Sequence, residues 1–181
     1  MVTVSPSGNT TAAVTYTPIA TNTLGSAAAS VTFSSIAGTY KDLVLVTQAG
    51  LSVNNNSLYM TFNSDTASNY SITSVEAYTN SYDSYRLSSQ SKVMIAGVNI
   101  GLATTVGPSM STSNIMNYSN TTTYKTVVGR WADCNDAGNK ESGAVAGLYR
   151  STSAITTINI FSQSGNLASG SVFTLYGIAA A

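Results

Sequence analysis

The sequence predicts an all-β protein, an antiparallel β-sandwich that is jelly-roll-like and has about nine or ten short strands. Apolar and polar residues alternate with a period of two along most of the chain, as half-buried strands do. Clusters of Asn, Asp, Gly and Ser separate the alternating runs, and these residue types favour turns. No window places apolar residues at helical spacing behind a capping residue. Many short strands joined by turns are typical of sandwiches, barrels and jelly rolls.

The alternation predicts the strands in order along the chain. Residues 31–36 begin the series, and residues 41–47 are β-branched and apolar enough to form a central strand. In residues 58–62, Leu, Met and Phe alternate with Tyr and Thr, which indicates a half-buried strand. The remaining predicted strands cover residues 70–77, 93–98, the neighbourhood of Ile115, and residues 124–131, 144–149, 156–161 and 172–178.

The chain length of 181 residues favours a single folded domain, which we expect over residues 26–181. Residues 1–25 are poor in large apolar side chains. They form either an extended arm that orders against a neighbouring molecule or an ordinary first edge strand in which Val14 and Tyr16 pack. The start of the chain lacks the basic and apolar segments of a secretory signal. No apolar stretch approaches the roughly 20 residues of a membrane-spanning helix.

The composition excludes several classes of function. Only 8% of residues are charged, seven basic residues balance seven acidic ones, and there is no His. A nucleic-acid-binding surface is therefore not expected, nor is imidazole-based catalysis or a His-ligated metal. The chain contains 28 Ser, 25 Thr and 16 Asn. A neutral surface rich in these residues favours association with copies of the chain or with a partner protein, because little charge repulsion opposes it.

The most structured polar segment covers residues 63–69, where we expect Asn63, Asp65 and Asn69 to organise a turn. An ionised Asp can accept several hydrogen bonds and hold the amides that follow it. A divalent cation bound by the same three side chains is the alternative, but one carboxylate supplies little charge for such a site. We therefore interpret these residues as a structural turn and predict no metal site there.

Residues 133–141 resemble a calcium-binding loop only in part. Asp133, Asn135 and Gly138 match the EF-hand spacing, but Ala137 and Ala144 stand where oxygen ligands are required. No helix is expected on either side, so a turn is the favoured interpretation. Five of the seven acidic residues lie in segments that read as turns, which gives no indication of the paired carboxylates of a glycosidase. We therefore predict no catalytic residue and no cofactor.

Tyr78, Tyr82 and Tyr85 lie close together in what reads as an aromatic-rich loop. Tyr offers a large rigid contact area and a hydroxyl group for hydrogen bonding. These residues form either a subunit interface or glycan-binding platform, or a cover over the core beside a hairpin.

Three segments of the sequence resemble a group of small β-sandwich virion proteins of tailed bacteriophages. Residues 40–45 (Tyr-Lys-Asp-Leu-Val-Leu) are similar to the first core strand of that group. Residues 62–66 and 69–71 are similar to its central turn, and residues 170–178 are similar to its closing strand. The spacing of these segments covers residues 30–178. Ser64 stands where the group usually has Gly, which leaves the type of turn open.

The resemblance implies a structural role in a virion without catalysis. Members of the group are capsid cement or decoration proteins, or modules of tail tips and fibres. We therefore expect a homo-oligomer, with a trimer as our guess, that binds the major capsid protein or another virion protein and stabilises contacts between capsid subunits. The alternative is a tail-fibre or tail-tip module that binds a host surface glycan. No nucleic acid or membrane is expected as a partner.

Overall fold

A computed structural model describes residues 15–100, 107–134 and 138–179, and for residues 98–100 it describes only the backbone. All regular secondary structure within these ranges is β-strand. The strands are β1 (Tyr16–Thr23), β2 (Ser30–Phe33), β3 (Asp42–Ala49), β4 (Asn56–Phe62), β5 (Tyr70–Tyr78), β6 (Tyr82–Gln90), β7 (Val93–Ile100), β8 (Ser109–Met116), β9 (Lys125–Cys134), β10 (Lys140–Tyr149), β11 (Ile158–Ser162) and β12 (Val172–Ile178). In the ranges described, no helix is long and apolar enough to cross a membrane.

The strands form two antiparallel sheets. A long sheet has the spatial order β1-β12-β3-β8-β9-β10-β5-β6, and a short sheet has the order β2-β11-β4-β7. The first four strands of the long sheet together with the short sheet have the strand order of an eight-stranded jelly roll. Two further hairpins, β5–β6 and β9–β10, are inserted into this framework and widen the long sheet beyond β8. The predicted jelly-roll-like sandwich is therefore confirmed.

Buried and exposed side chains alternate along most of the strands, and this alternation separates the core from the surface. In β9, Val127 and Trp131 are buried, whereas Val128 and Arg130 point to solvent. Because side chains alternate between the two sides of a sheet, this pattern gives the long sheet one inner and one outer face. The inner side chains pack into one continuous core. Its fully buried members include Leu43, Leu45, Leu58, Met60, Phe62, Ile115, Phe173 and Leu175.

The described residues contain twelve strands, more than the nine or ten predicted from the sequence. Strand β6 was expected to be part of an aromatic loop, but it pairs with β5 along residues 82–90. It is an edge strand with most side chains exposed, so it lacks the apolar alternation that marks other strands. Strand β1 is the opposite edge of the long sheet and pairs with β12. Residues 1–14 of the predicted arm lie outside the described residues, as does Val14.

Candidate functional site

Asp65 is the centre of the turn between β4 and β5. Its Oδ1 accepts a hydrogen bond from the Ala67 amide at 2.9 Å, and its Oδ2 accepts one from Asn69 Nδ2 at 2.9 Å and one from the Tyr149 hydroxyl at 3.1 Å. The Asn69 hydrogen bond is the main cause that holds the pKa of Asp65 below its usual value. The Tyr70 hydroxyl donates to the Asp65 carbonyl oxygen at 3.0 Å. The carboxylate oxygens of Asp65 therefore accept hydrogen bonds that hold the turn together.

Asn63 links the same turn to the loop that precedes β11. Its Oδ1 accepts from the Thr156 and Thr157 amides at 2.9 and 3.2 Å, and its Nδ2 donates to the Ala154 carbonyl oxygen at 2.8 Å. Asn63 and Ser64 have φ values of 52° and 57°. Ser64 thus adopts the left-handed conformation for which glycine is best suited. The three predicted turn residues therefore all make hydrogen bonds within the described fold.

The structure separates the three tyrosines that the sequence grouped together. Tyr82 lies on the outer face of the long sheet and is 89% exposed. Tyr78 and Tyr85 are on the opposite face, where their hydroxyl groups donate to Oε2 and Oε1 of Glu76. Burial, and secondly the Glu76 hydrogen bond, raises the pKa of both phenols. The three side chains therefore do not form a common platform, because successive residues of a strand point to opposite faces.

A cluster of carboxylates lies inside the sandwich, on β5, β9 and β10. Glu76, Asp133 and Glu141 are all at least nine-tenths buried. Asp133 is directly opposite Glu141 in the sheet, and Glu141 is directly opposite Tyr78. This corrects the expectation that residues 133–141 form only a surface turn, since Asp133 lies within β9 and Glu141 lies within β10. Residues 135–137, with Asn135 and Ala137 of the EF-hand comparison, lie outside the described residues.

Glu76 in this cluster is well satisfied, whereas Asp133 is not. Besides the two phenols, Glu76 Oε1 accepts from Ser74 Oγ at 2.8 Å. Both carboxyl oxygens of Asp133 are buried and have no hydrogen-bond partner among the residues that the structure describes. Burial raises the pKa of Asp133 to about 8, and the charges of Glu141 and Glu76 add to this effect. Among the residues described, no three His, Cys, Asp or Glu side chains are placed to hold a metal ion.

Trp131 packs against the carboxylate cluster. Its indole Nε1 donates to Glu141 Oε1 at 2.9 Å. A Cβ atom on Gly97 would lie 1.6 Å from that carboxylate oxygen, and a Cβ atom on Gly143 would lie 2.3 Å from the indole ring. The two glycines therefore provide the space in which the indole and the carboxylate fit. Trp131 is a core residue.

Lys125 is fully buried beside the opposite end of the long sheet. Its ammonium group lies within hydrogen-bond distance of the carbonyl oxygens of Asn120 (2.6 Å), Thr123 (2.9 Å), Ser151 (3.3 Å) and Thr152 (2.8 Å). Burial lowers its pKa. The single charge thereby joins two loops, residues 117–124 and 150–156, by charge-assisted hydrogen bonds.

The outer face of the long sheet is a broad surface that no other element of the described structure covers. We define this outer face by the outward side chains of the eight strands of the long sheet. Apolar side chains protrude from it, with Val75 55% and Val128 47% exposed. Three outward residues of β10, Ser142, Ala144 and Ala146, are small, so the face has a groove along this strand. Cavities of about 340, 320, 410 and 350 Å³ all open on it.

Few charges interrupt the outer face. Its outward strand residues include three cations, Arg86, Arg130 and Lys140, and one anion, Asp42. Sequence reasoning did not identify this face, because no single strand reveals which strands lie side by side. Comparison with known proteins adds nothing to this description, since no family model, no curated protein and no solved structure matches the chain.

Proposed function

We propose that this protein is a non-enzymatic structural component of a bacteriophage virion that decorates the capsid and stabilises contacts between major capsid subunits. The observation that carries the proposal is the uncovered, nearly uncharged outer face of the long sheet. A sheet face that no second layer covers and that exposes Val and Met side chains is unusual for a protein that works alone in water. Contact with a neighbouring subunit would remove these side chains from solvent.

The interior carboxylates support a role without catalysis. Glu76, Asp133 and Glu141 are the acidic side chains that the fold brings together, and all three lie between the sheets, where a substrate would not reach them. Glu76 is held by three hydroxyl donors. A jelly roll is also an architecture that viral coat domains use, although the fold by itself does not assign a function.

Binding to capsid shells tests the proposal directly. Purified shells that lack the chain should bind it saturably in co-sedimentation, and their melting temperature should rise, because a ligand of the assembled state stabilises that state. Val75→Lys, which places a charge on the outer face, should weaken binding at least tenfold. Thr32→Lys places the same charge on the outer side of the short sheet and is the matched control. A chain that stays in the supernatant at saturating concentration contradicts the proposal.

A tail module that binds a host glycan is the second candidate, and one feature of the short sheet favours it. The rings of Tyr59 and Phe161 lie side by side, with centroids 6.3 Å apart and planes at 28°. Lys92 Nζ is 4.0 Å from the centre of the Tyr59 ring and so covers part of this surface. If the chain is an adhesin, it should bind host cells or lipopolysaccharide, and Phe161→Ala should abolish this binding while Tyr82→Ala does not.

A further inference from the structure

We propose that the outer face of the long sheet docks onto the outer face of a second copy about a two-fold axis, with Arg130 of each copy entering the Asp42 cavity of the other. The inference rests on the proposed function, because it names the surface through which the copies associate. It replaces the expected trimer with a dimer, since a face that pairs with itself about a two-fold axis closes at two subunits.

Asp42 offers a carboxylate that has no ion-pair partner among the described residues. Its Oδ1 accepts from the Asn117 amide at 2.7 Å, and within the described ranges no donor approaches its Oδ2. Asp42 lines a cavity of about 350 Å³ together with Tyr16, Asn114 and Val128. The cavity combines apolar walls with one carboxylate, which suits the long apolar stem and the guanidinium group of an arginine.

Arg130 is the complementary group. It is exposed near the middle of the outer face and borders a second cavity of about 320 Å³ with Met110 and Ala132. In the part of the chain that the structure describes, its guanidinium group donates no hydrogen bond. Arginine is favoured at the centre of interfaces, where it binds carboxylates through two parallel hydrogen bonds.

The strand register places these two residues symmetrically about Asn114. Asn114 pairs with Val44 on β3, and Val44 lies two residues after Asp42. On the other side, Asn114 is level with Val128 on β9, two residues before Arg130. Equal steps in opposite directions from Asn114 therefore reach Asp42 and Arg130. A two-fold axis that passes over Asn114 and is perpendicular to the line between them brings Arg130 of each copy opposite Asp42 of the other.

The area that this arrangement buries is sufficient for a stable dimer. Eight strands spaced about 4.8 Å apart and about seven residues long give a face of roughly 38 Å by 24 Å. Two such faces crossing at the Asn114 axis overlap over about 24 Å by 24 Å. The dimer would then bury roughly 1,200 Å² in total, which is the lower end of the range for specific interfaces. The overlap includes Val128, Met110 and Met116, which are the exposed apolar side chains nearest to Asn114.

The other cations of the outer face lie outside the overlap. Arg86 is on the edge strand β6, and Lys140 is the first residue of β10, at the end of that strand. Neither residue would therefore bring like charges together at the centre of the dimer. The overlap also leaves Val75 on β5 uncovered, so the dimer can still contact a shell through the same sheet.

Sedimentation equilibrium of the full chain and four variants tests the dimer. The unmodified chain should form a species of twice its 18.7 kDa mass. Arg130→Gln and Asp42→Asn should each raise the dimer dissociation constant at least tenfold, because each leaves two buried charges unpaired. Asp42→Asn keeps the Oδ1 acceptor for Asn117, so the fold should survive. The double variant should be no more than about threefold weaker than the weaker single variant, since the same pairs are already lost.

Arg86→Gln is the matched control, and its dissociation constant should stay within about threefold of that of the unmodified chain. The inference is overturned if the chain sediments as a monomer throughout, if Arg130→Gln leaves the dimer intact, or if Arg86→Gln weakens it as much as Arg130→Gln does. A monomeric chain that still binds capsid shells and raises their melting temperature would overturn the dimer and leave the proposed function standing.

Discussion

Replacing Asp133 by Asn should change how the stability of the protein depends on pH. The native pKa of Asp133 is about 8 because the carboxyl is buried near Glu141 and Glu76, whereas an unfolded chain gives Asp a pKa of about 3.9. The native state therefore keeps a proton that the unfolded state loses between these values. The stability that the protonated form contributes is complete below about pH 4 and is lost as the pH rises through about 8.

The size of the effect follows from the difference in bound protons between the native and the unfolded state. Between pH 5 and pH 7 the native state binds one more proton than the unfolded state at this site, so the site lowers the free energy of unfolding by about 1.4 kcal/mol per pH unit. Asp133→Asn removes this contribution. The difference in unfolding free energy, variant minus unmodified chain, should therefore increase by about 1.4 kcal/mol for each unit of pH in that window.

Urea unfolding followed by circular dichroism at pH 5, 6 and 7 measures this difference. Asp83→Asn makes the same substitution at an exposed position on the edge strand β6 and is the matched control. Subtracting the unfolding free energy of the unmodified chain from that of the variant removes the contributions of all other titrating groups to first order, because both chains share these groups. If the unfolding free energies of the unmodified chain and Asp133→Asn run parallel with pH, Asp133 is ionised in the native protein and the reasoning is wrong.

Three further changes test other parts of the fold. Ser64→Gly should stabilise the protein by about 1 kcal/mol, because Ser64 has φ 57°; a lower melting temperature would contradict the left-handed turn. Lys125→Met should cost about 3 kcal/mol in urea unfolding, because it leaves buried carbonyl oxygens without a donor, and a neutral outcome would mean that water replaces the ammonium group. Deletion of residues 172–181 should abolish cooperative unfolding, because β12 pairs with both β1 and β3; a soluble β-rich truncation would refute this.

The sequence predicted most of the fold because burial imposes a period of two on each inner strand. Residues 43, 45, 58, 60 and 62 alternate as a strand with one core face requires, and all five are fully buried. Edge strands do not show this period of two. Strand β6 carries few apolar side chains because it buries little, so Tyr82 and its neighbours resembled a loop. The order of the strands depends on pairings between distant residues, which the alternation does not encode.

The interior charges show a second limit of reading residues one at a time. Glu76 has the same parity as Tyr70 and Ile72 in β5, and Asp133 has the same parity as Val127 and Trp131 in β9. This parity predicts that both carboxylates point inward. For Asp133, nearby turn-forming residues outweighed this parity in the sequence analysis, because an unpaired buried carboxylate is unfavourable and turns are where Asp is usually found. Parity with two large apolar neighbours is the signal that would have identified both residues.

Because these carboxylates are buried, the net charge of the surface differs from the zero net charge of the whole chain. Three carboxylates, Glu76, Asp133 and Glu141, are inside the described fold, whereas Lys125 is the one cation that is fully buried there. The exposed charge in the described ranges is therefore biased towards Lys and Arg, although the whole chain is neutral. A neutral composition then does not explain association, because repulsion between copies depends on the exposed charges alone. Association requires a surface from which charges are sparse and on which the few that remain are complementary, and the centre of the outer face, with Asp42 and Arg130 on either side of Asn114, meets both conditions.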